Sequence, residues 1–569
     1  MPPRLTPPTP PSPTTGASSP AAEDAARLRS IAGQPLARRL PVYFKLSGPG
    51  WLQSAITLGG ASLSGSLYLG VIGGFGLLWL QPFAMIMGIV MLCAVGHVTM
   101  ATGRRPLEAI NEFVNPVLGY AWAAASLLAS MVWAMPQYSL SIGVLRQNLL
   151  PDLLGPAGLF GDFGGKLAPT LLILAFSTYI TWNYGKGGRG VKLYEATLKA
   201  IVFLIVLCFA GVVLSLSLSP AGLDWSGVWR GFLPDLSYLT QPADAFGPLI
   251  AQTAPEHHAY WTDFIVGKQR DVIVAGAAAA VGINMTFLFP YSILRRGWGR
   301  EFSGLLKFDL ATGMLIPFTL ATSFVVIAAA TQFHGVPQGG LPGAEVAAMT
   351  ARASPLQLGE FNGLLAGLEA ERAAAGAPAA ISTADRQLAA MLVNRDANHL
   401  ASALEPLTGH LFAQIVFGFG VLGMALSTIT LLMLISGQVI CAVFQQEQTG
   451  WLFRVGSLLA ATGALGPFVW SKAAFYLAIP ASVFGFILLP IAYVSFFLLM
   501  NQPRLLGDAL PRGGGRLLWN GLMGLTVVVV GAASVFMIAT KAGTAGLVAA
   551  GALLLAAFVA HFIRRPRQG

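Results

Sequence analysis

Long blocks of apolar residues, each nearly free of charge, leave this chain few ways to fold. In a bilayer every backbone N–H and C=O needs a partner within the protein, so only α-helices or closed barrels cross it. A spanning helix takes about 20 apolar residues. A barrel would instead show short segments of alternating polarity, and none occur. Twelve helical spans are expected at roughly 47–72, 75–101, 118–145, 168–183, 195–219, 272–293, 308–332, 410–441, 452–471, 473–499, 517–540 and 542–562. Only 10% of the residues are charged, against about 25% in soluble domains. That excludes a cytosolic enzyme, a nucleic-acid-binding domain and a disordered protein. The partners implied are the lipid bilayer and a small solute or cation, with no nucleic acid.

The chain divides into three parts. Residues 1–46 read as a disordered, basic tail, rich in Pro, Thr, Ser and Ala at its start and lacking the apolar stretch of a signal peptide. Residues 47–500 form the core, and 501–569 hold two further helices and a basic end. Two long connections, 220–271 and 333–409, stand out, the second with an Ala-rich stretch at 366–400 expected to form one or two surface helices. The net charge of +10 fits basic residues gathered on one membrane side. Lys186, Arg189, Lys192, Arg295, Arg296, Arg300, Lys307, Arg564, Arg565 and Arg567 all fall on the side of the N-terminus. Both termini are therefore expected in the cytoplasm of a multi-pass protein of an inner or plasma membrane. Cys93, Cys208 and Cys441 lie in apolar blocks without disulfide or zinc spacing, and are expected to pack as small hydrophobes.

No Asp or Glu lies in the middle third of any expected span. Intramembrane carboxylates are the usual carriers of protons and cations, so their absence limits the mechanism. Polarity at mid-depth comes from elsewhere. Span one carries Gly59, Gly60, Ala61 and Ser62 near its midpoint, and span six carries Gly282, Asn284, Thr286 and Pro290 at similar depth. Two interrupted helices five spans apart are the signature of an inverted-repeat transporter, whose substrate lies where the breaks meet. Gly59–Ser62 and Met285–Pro290 are expected to be non-helical and to face each other across one cavity.

Several patches, in order, resemble the Nramp family of proton-coupled divalent-metal transporters. GPGWLQS at 48–54 is similar to the family's start to helix one; Leu77, Leu78 and Trp79 to its helix two; and Thr102-Gly103 to the end of that helix. Ser427, Thr428, Ile429 and Thr430, with Gly437 and Gln438 beyond, resemble its helix eight. The resemblance implies an all-α fold of the LeuT type, a five-plus-five inverted repeat with helices one and six broken, and a divalent metal cation as nominal substrate.

The chain departs from the family where the chemistry sits. The family's helix-one DPGN motif falls on Gly59, Gly60, Ala61 and Ser62, so the metal-binding Asp and Asn are replaced by Gly and Ser. Its helix-six MPH motif falls near Met285, a weak metal-ligand candidate, and no His follows. Span three lacks the acid of the proton pathway, and Arg454 matches a basic position of helix nine without its acidic partner. A dication dehydrated against glycine and serine would be poorly compensated. The remaining candidates are neutral: Gly59, Gly60, Ala61 and Ser62, with Asn284, Met285 and Thr286 on span six, Gln137 and Tyr138 on span three, and Ser427 and Thr428 on span eight. They suit a polar organic solute, such as an amino acid, or a cation that keeps its hydration water.

No nucleotide-binding loop or catalytic constellation is present, so no enzyme and no cofactor are expected; the oligomeric state stays open. TAPEHHAYW reads as an exposed loop, with Glu256, His257 and His258 as a metal or pH-sensing patch in the alternative. A channel is disfavoured by the scattered polar positions. A non-transporting sensor or scaffold, using loop 333–409, is the other class to separate. A closed, dry interface among spans one, three, six and eight would favour it; a polar cavity there would favour a transporter.

Overall fold

The computed structural model describes residues 20–184, 189–220, 222–342, 353–376, 380–395, 417–448, 450–469 and 476–564, with scattered residues between 399 and 415. Every expected span coincides with a helix, and no strand occurs among the described residues. Spans two to five are Leu80–Thr102, Pro116–Leu149, Gly161–Tyr184 and Arg189–Leu218. Spans seven to eleven are Arg300–Phe333, Phe417–Val443, Trp451–Val469, Ala478–Met500 and Gly513–Lys541, and Gly543–Arg564 is the twelfth. Among the described residues ten helices are long and apolar enough to cross a membrane, eleven when a bent pair counts as one. Local signals set the ends. The Asn115 side chain accepts from the Val117 N–H ahead of span three, and Gly103 and Gly297 adopt left-handed φ of 65° and 67° where spans two and six stop.

Two spans are broken. Span one runs as Pro49–Thr57, then resumes as Gly60–Gly73 with a 54° bend. Span six runs as His258–Ala280 and resumes as Ile283–Arg296. Both breaks are shorter than the composition suggests. Gly60, Ala61 and Ser62 form the first turn of the resumed helix, and Leu58 and Gly59 alone depart from it. In span six the departure is at Val281 and extended Gly282 (φ −79°, ψ 159°), while Met285–Pro290 is helical. Small residues in a helix's first turn are cheap, because its N–H groups lack intrahelical partners anyway. Gly282 is fixed by crowding: a Cβ there would lie 2.7 Å from Asn284 Oδ1 and 2.9 Å from the Trp133 ring.

The GPG sequence has a physical cause. Asp309, fully buried in span seven, accepts from the Gly48 N–H at 3.0 Å and the Gly50 N–H at 2.6 Å. The carboxylate thus meets the orphan donors and the positive dipole end of Pro49–Thr57. A Cβ on Gly50 would strike the Asp309 carbonyl, and one on Gly48 the Arg296 guanidinium.

The bundle places span three against eight, the second half of span one against seven, and the first half of span six against ten. Both breaks therefore fall at its centre. Arg105 and Arg295 line one cleft at an end of the bundle, called here the basic end. A cap closes the other. Its helices are Pro355–Ala374, which begins before the Ala-rich stretch, and Thr383–Leu392 within it; they bury Phe361, Leu365, Leu368 and Leu388.

His257 corrects the reading of its segment as an exposed loop or metal patch. It is buried, with Nδ1 at 3.1 Å from Asp385 Oδ1 in the cap. Trp261 Nε1 donates to the same carboxylate at 2.8 Å, and the Ser382 N–H and hydroxyl donate at 2.8 and 2.6 Å. Burial pushes the Asp385 carboxyl up, but the Ser382 and Trp261 hydrogen bonds and the His257 charge outweigh it and hold the group below its usual range.

The amino-terminal tail is also corrected in part. Pro20–Ser30 and Leu36–Leu46 are helices, burying Ala25, Leu28 and Ile31. Ala, Leu and Arg there favour helix, unlike the Pro- and Thr-rich start; residues 1–19 lie outside the described set. At the far terminus the last two helices leave Leu517, Val528, Leu547, Leu554 and Phe558 exposed, a surface suited to lipid. Cys93 and Cys441 are buried and free, and the side chain of Cys208 lies outside the described set.

Candidate functional site

The two breaks meet. Thr57, the last helical residue before the first break, places its hydroxyl 3.6 Å from the Met285 sulfur and 3.5 Å from the Ala280 carbonyl oxygen. The Gly282 N–H points at the same sulfur, 3.4 Å away. Met285, fully buried, thus fills the space between both breaks. Its thioether is a soft, adaptable plug.

The other candidates divide into four groups. Gln137 joins the site, its Oε1 accepting from the Gly60 N–H at 3.1 Å. Ser62 also belongs, its hydroxyl donating to the Thr57 carbonyl. Asn284 lies beside them, with Oδ1 accepting from the Met285 N–H at 2.9 Å. Ser427, Thr428 and Thr286 are committed to helix bonds. Ser427 Oγ is 3.1 Å from the Ala55 carbonyl and 2.9 Å from that of Met424, which Thr428 also approaches at 2.9 Å. The Thr286 hydroxyl donates to Ile283 at 2.5 Å and accepts from Trp122 Nε1 at 2.9 Å. Tyr138 turns the other way and packs with Ile173, Ile429 and Met433. Gly59 and Ala61 supply only space and backbone. The open side of Gly59 faces no cavity: a Cβ there would run into Thr428 Oγ1 and lie 2.8 Å from the Ile56 carbonyl oxygen. Arg454 rests over the Trp182 ring at 5.4 Å.

Sequence reasoning missed Gln53, Ser54 and Thr57. Gln53 and Ser54 are fully buried, and both ends of the Gln53 amide and the Ser54 hydroxyl lack a hydrogen-bond partner among the described residues. Gln137 Nε2 and Asn284 Nδ2 are in the same condition. The signal was in the sequence: a glutamine and a serine inside an otherwise apolar half-span, one turn before the break. Each such orphan costs about 1–3 kcal/mol, and native proteins rarely keep them without a use.

Among the described residues the two breaks pack closely against each other. Beside the first break lies a cavity of about 10 Å³ among Leu58, Ser62, Phe209, Thr322 and Met424, room for about one water. A cleft of about 320 Å³ opens at the basic end between spans six and eight, where Tyr291, Gln438, Arg105 and Arg295 line it. No cluster of three or more His, Cys, Asp or Glu able to hold a metal occurs among the described residues. What the centre offers is a set of neutral donors and acceptors held without partners.

Comparison with known proteins gives the following. The family model described as natural resistance-associated macrophage protein-like matches residues 50–366 and 376–540. "Metal transporter Nramp2" of Oryza sativa subsp. japonica is 28% identical over 174 residues, 29% of each chain. "Metal transporter Nramp2" of Arabidopsis thaliana is 30% identical over 167 residues, 29% of this chain and 28% of the relative. The matched segment thus spans under a third of these relatives' length. Among solved structures, the Eremococcus coleocola manganese transporter in complex with an aromatic bis-isothiourea substituted compound superposes with a TM-score of 0.61. That match has 14% identity and covers 93% of this chain and 94% of that one. A mutant of the same transporter matches as well, at 13% identity. At such identity the likeness is one of fold.

Proposed function

Because the chain belongs to the Nramp family, we propose that it carries a divalent metal cation across the membrane through a site rebuilt from neutral groups. The observation that carries this reading is the set of buried, unpartnered polar atoms of Gln53, Ser54, Gln137 and Asn284 where two broken helices meet. Amide and hydroxyl oxygens and the carbonyls freed at the breaks are hard donors. They suit an oxygen-seeking cation that keeps part of its water. No carboxylate among the described residues stands there to take up a proton, so transport runs without an embedded acid as proton carrier. The closed interface alone would favour a non-transporting scaffold; the unpartnered polar atoms favour a carrier instead. A dry scaffold would pair its polar groups or replace them with apolar ones. The short basic loops support placing both termini in the cytoplasm.

Purified protein in liposomes, loaded with a fluorescent divalent-metal indicator, tests this. Mn²⁺ or Mg²⁺ uptake is expected, and Gln53→Leu or Gln137→Leu should slow it about tenfold, equivalent to losing about 1.4 kcal/mol at the site. Equal uptake by wild type and both variants would show that the ion passes elsewhere. Absence of uptake, together with a rise in melting temperature on adding amino acids but not metals, would move the assignment to an organic solute.

A further inference from the structure

The cap is tied to the two half-helices that meet at the breaks. Tyr68, on Gly60–Gly73, donates its hydroxyl to the Arg395 carbonyl at 2.6 Å. Lys268, on His258–Ala280, donates its ammonium to the Leu392 carbonyl at 2.7 Å. Tyr476, at the start of span ten, completes the junction. Its ring lies 5.4 Å from that of Tyr68 and 6.0 Å from the Lys268 nitrogen. The strip between the two anchored carbonyls is short and deeply buried: Leu392, Val393 and Arg395 are each at most 2% exposed. Glu360 holds it from above, accepting from the Asn394 N–H at 2.8 Å and its amide at 2.6 Å. Further out, His257 and Trp261 fasten the same span to Asp385.

We propose that the strip 392–395 is a bolt across the cap-end mouth, and that a cation reaches the breaks from that side only after Lys268 and Tyr68 release it. This rests on the transport reading above. The geometry demands release because one short strip is bonded to both half-helices. They cannot part enough to admit an ion while both bonds hold. Both acceptors are main-chain carbonyls, so the lock depends on Lys268 and Tyr68 and little on the strip's own side chains.

The test uses full-length protein with Cys93, Cys208 and Cys441 replaced by alanine. His257→Cys and Asp385→Cys are joined by a short bis-methanethiosulfonate reagent, fastening the cap covalently. Mn²⁺ uptake into liposomes should fall at least tenfold when joined and return on reduction. Equal rates in both states overturn the bolt. If the reduced protein takes up no Mn²⁺, the transport reading fails, and the bolt is judged by a second measurement. Ser66→Cys is labelled with a membrane-impermeant maleimide, with and without Lys268→Met and Tyr68→Phe. Labelling at least fivefold faster in the released protein supports the bolt, and an unchanged rate overturns it. Tyr68→Phe alone, which removes one hydroxyl, serves the same comparison if the double variant does not fold.

Discussion

Alanine in place of Asp309 is expected to destabilise the protein by about 3–5 kcal/mol, the range for removing one partner of a buried charged network. The carboxylate is fully buried, and it takes both free N–H groups at the start of Pro49–Thr57. Without it, two buried donors and the positive end of a helix lose their counterpart. Arg296, close by, keeps only what it makes elsewhere, including its bond to the Leu46 carbonyl at 3.2 Å. Asp309→Asn retains an acceptor but no charge, and should fall between wild type and alanine. Thermal melts in detergent rank the three proteins. An alanine variant that melts with the wild type would mean that the carboxylate does not hold the start of span one.

Gly59→Asp, which puts an acid at the position that the register counted from Gly48 gives to the family's, should cost several kcal/mol in metal-free protein. Two causes combine. The new Cβ collides with Thr428 Oγ1 and approaches the Ile56 carbonyl oxygen at 2.8 Å, overpacking of a kind that costs about 1–3 kcal/mol. The carboxylate would also be buried with no basic group of the described spans beside it. Thr428→Ala removes the first cause, so the double variant should recover part of the loss. Mn²⁺ should then recover more, by about 2.7 kcal/mol at a hundredfold excess over its Kd. Melts of the single and double variants, with and without the ion, decide this. If Thr428→Ala rescues nothing, Gly59 does not face span eight as described. A protein responding to Mn²⁺ no more than wild type would place the acid outside the cation's path.

The helical spans were legible because hydropathy and helix length in a bilayer leave little choice. The existence of both breaks was legible too, but their extent was not. Composition marks where a helix is weak. Whether Gly60 or Pro290 leaves the helix depends on what neighbouring spans press against them, as the Trp133 ring does at Gly282. Gln137 and Met285 do lie at the breaks, whereas Tyr138 occupies the adjacent position yet packs in another cluster. A one-residue step on a helix turns the side chain by about 100°, and only packing fixes the origin of that rotation. Gln53 was overlooked because it sat inside a patch read for its likeness to other sequences instead of for its buried amide. The cap's pairing of His257 with Asp385 joins residues 128 positions apart, a distance at which no local pattern informs.

A centre without fixed charge has an electrical consequence. On the transport reading proposed above, the loaded carrier would bear the whole double charge of a dication, and the empty one would return bearing none. Each full cycle therefore moves two charges through the membrane field, worth about 4.6 kcal/mol at 100 mV. That is enough to sustain a gradient of roughly three orders of magnitude with no second ion spent. A potassium diffusion potential imposed with valinomycin in the same liposomes should accelerate uptake when the lumen is negative and oppose it when positive; indifference to the voltage would require a compensating charge that moves with the ion. On this account, the missing acids leave the membrane potential as the sole motor of accumulation.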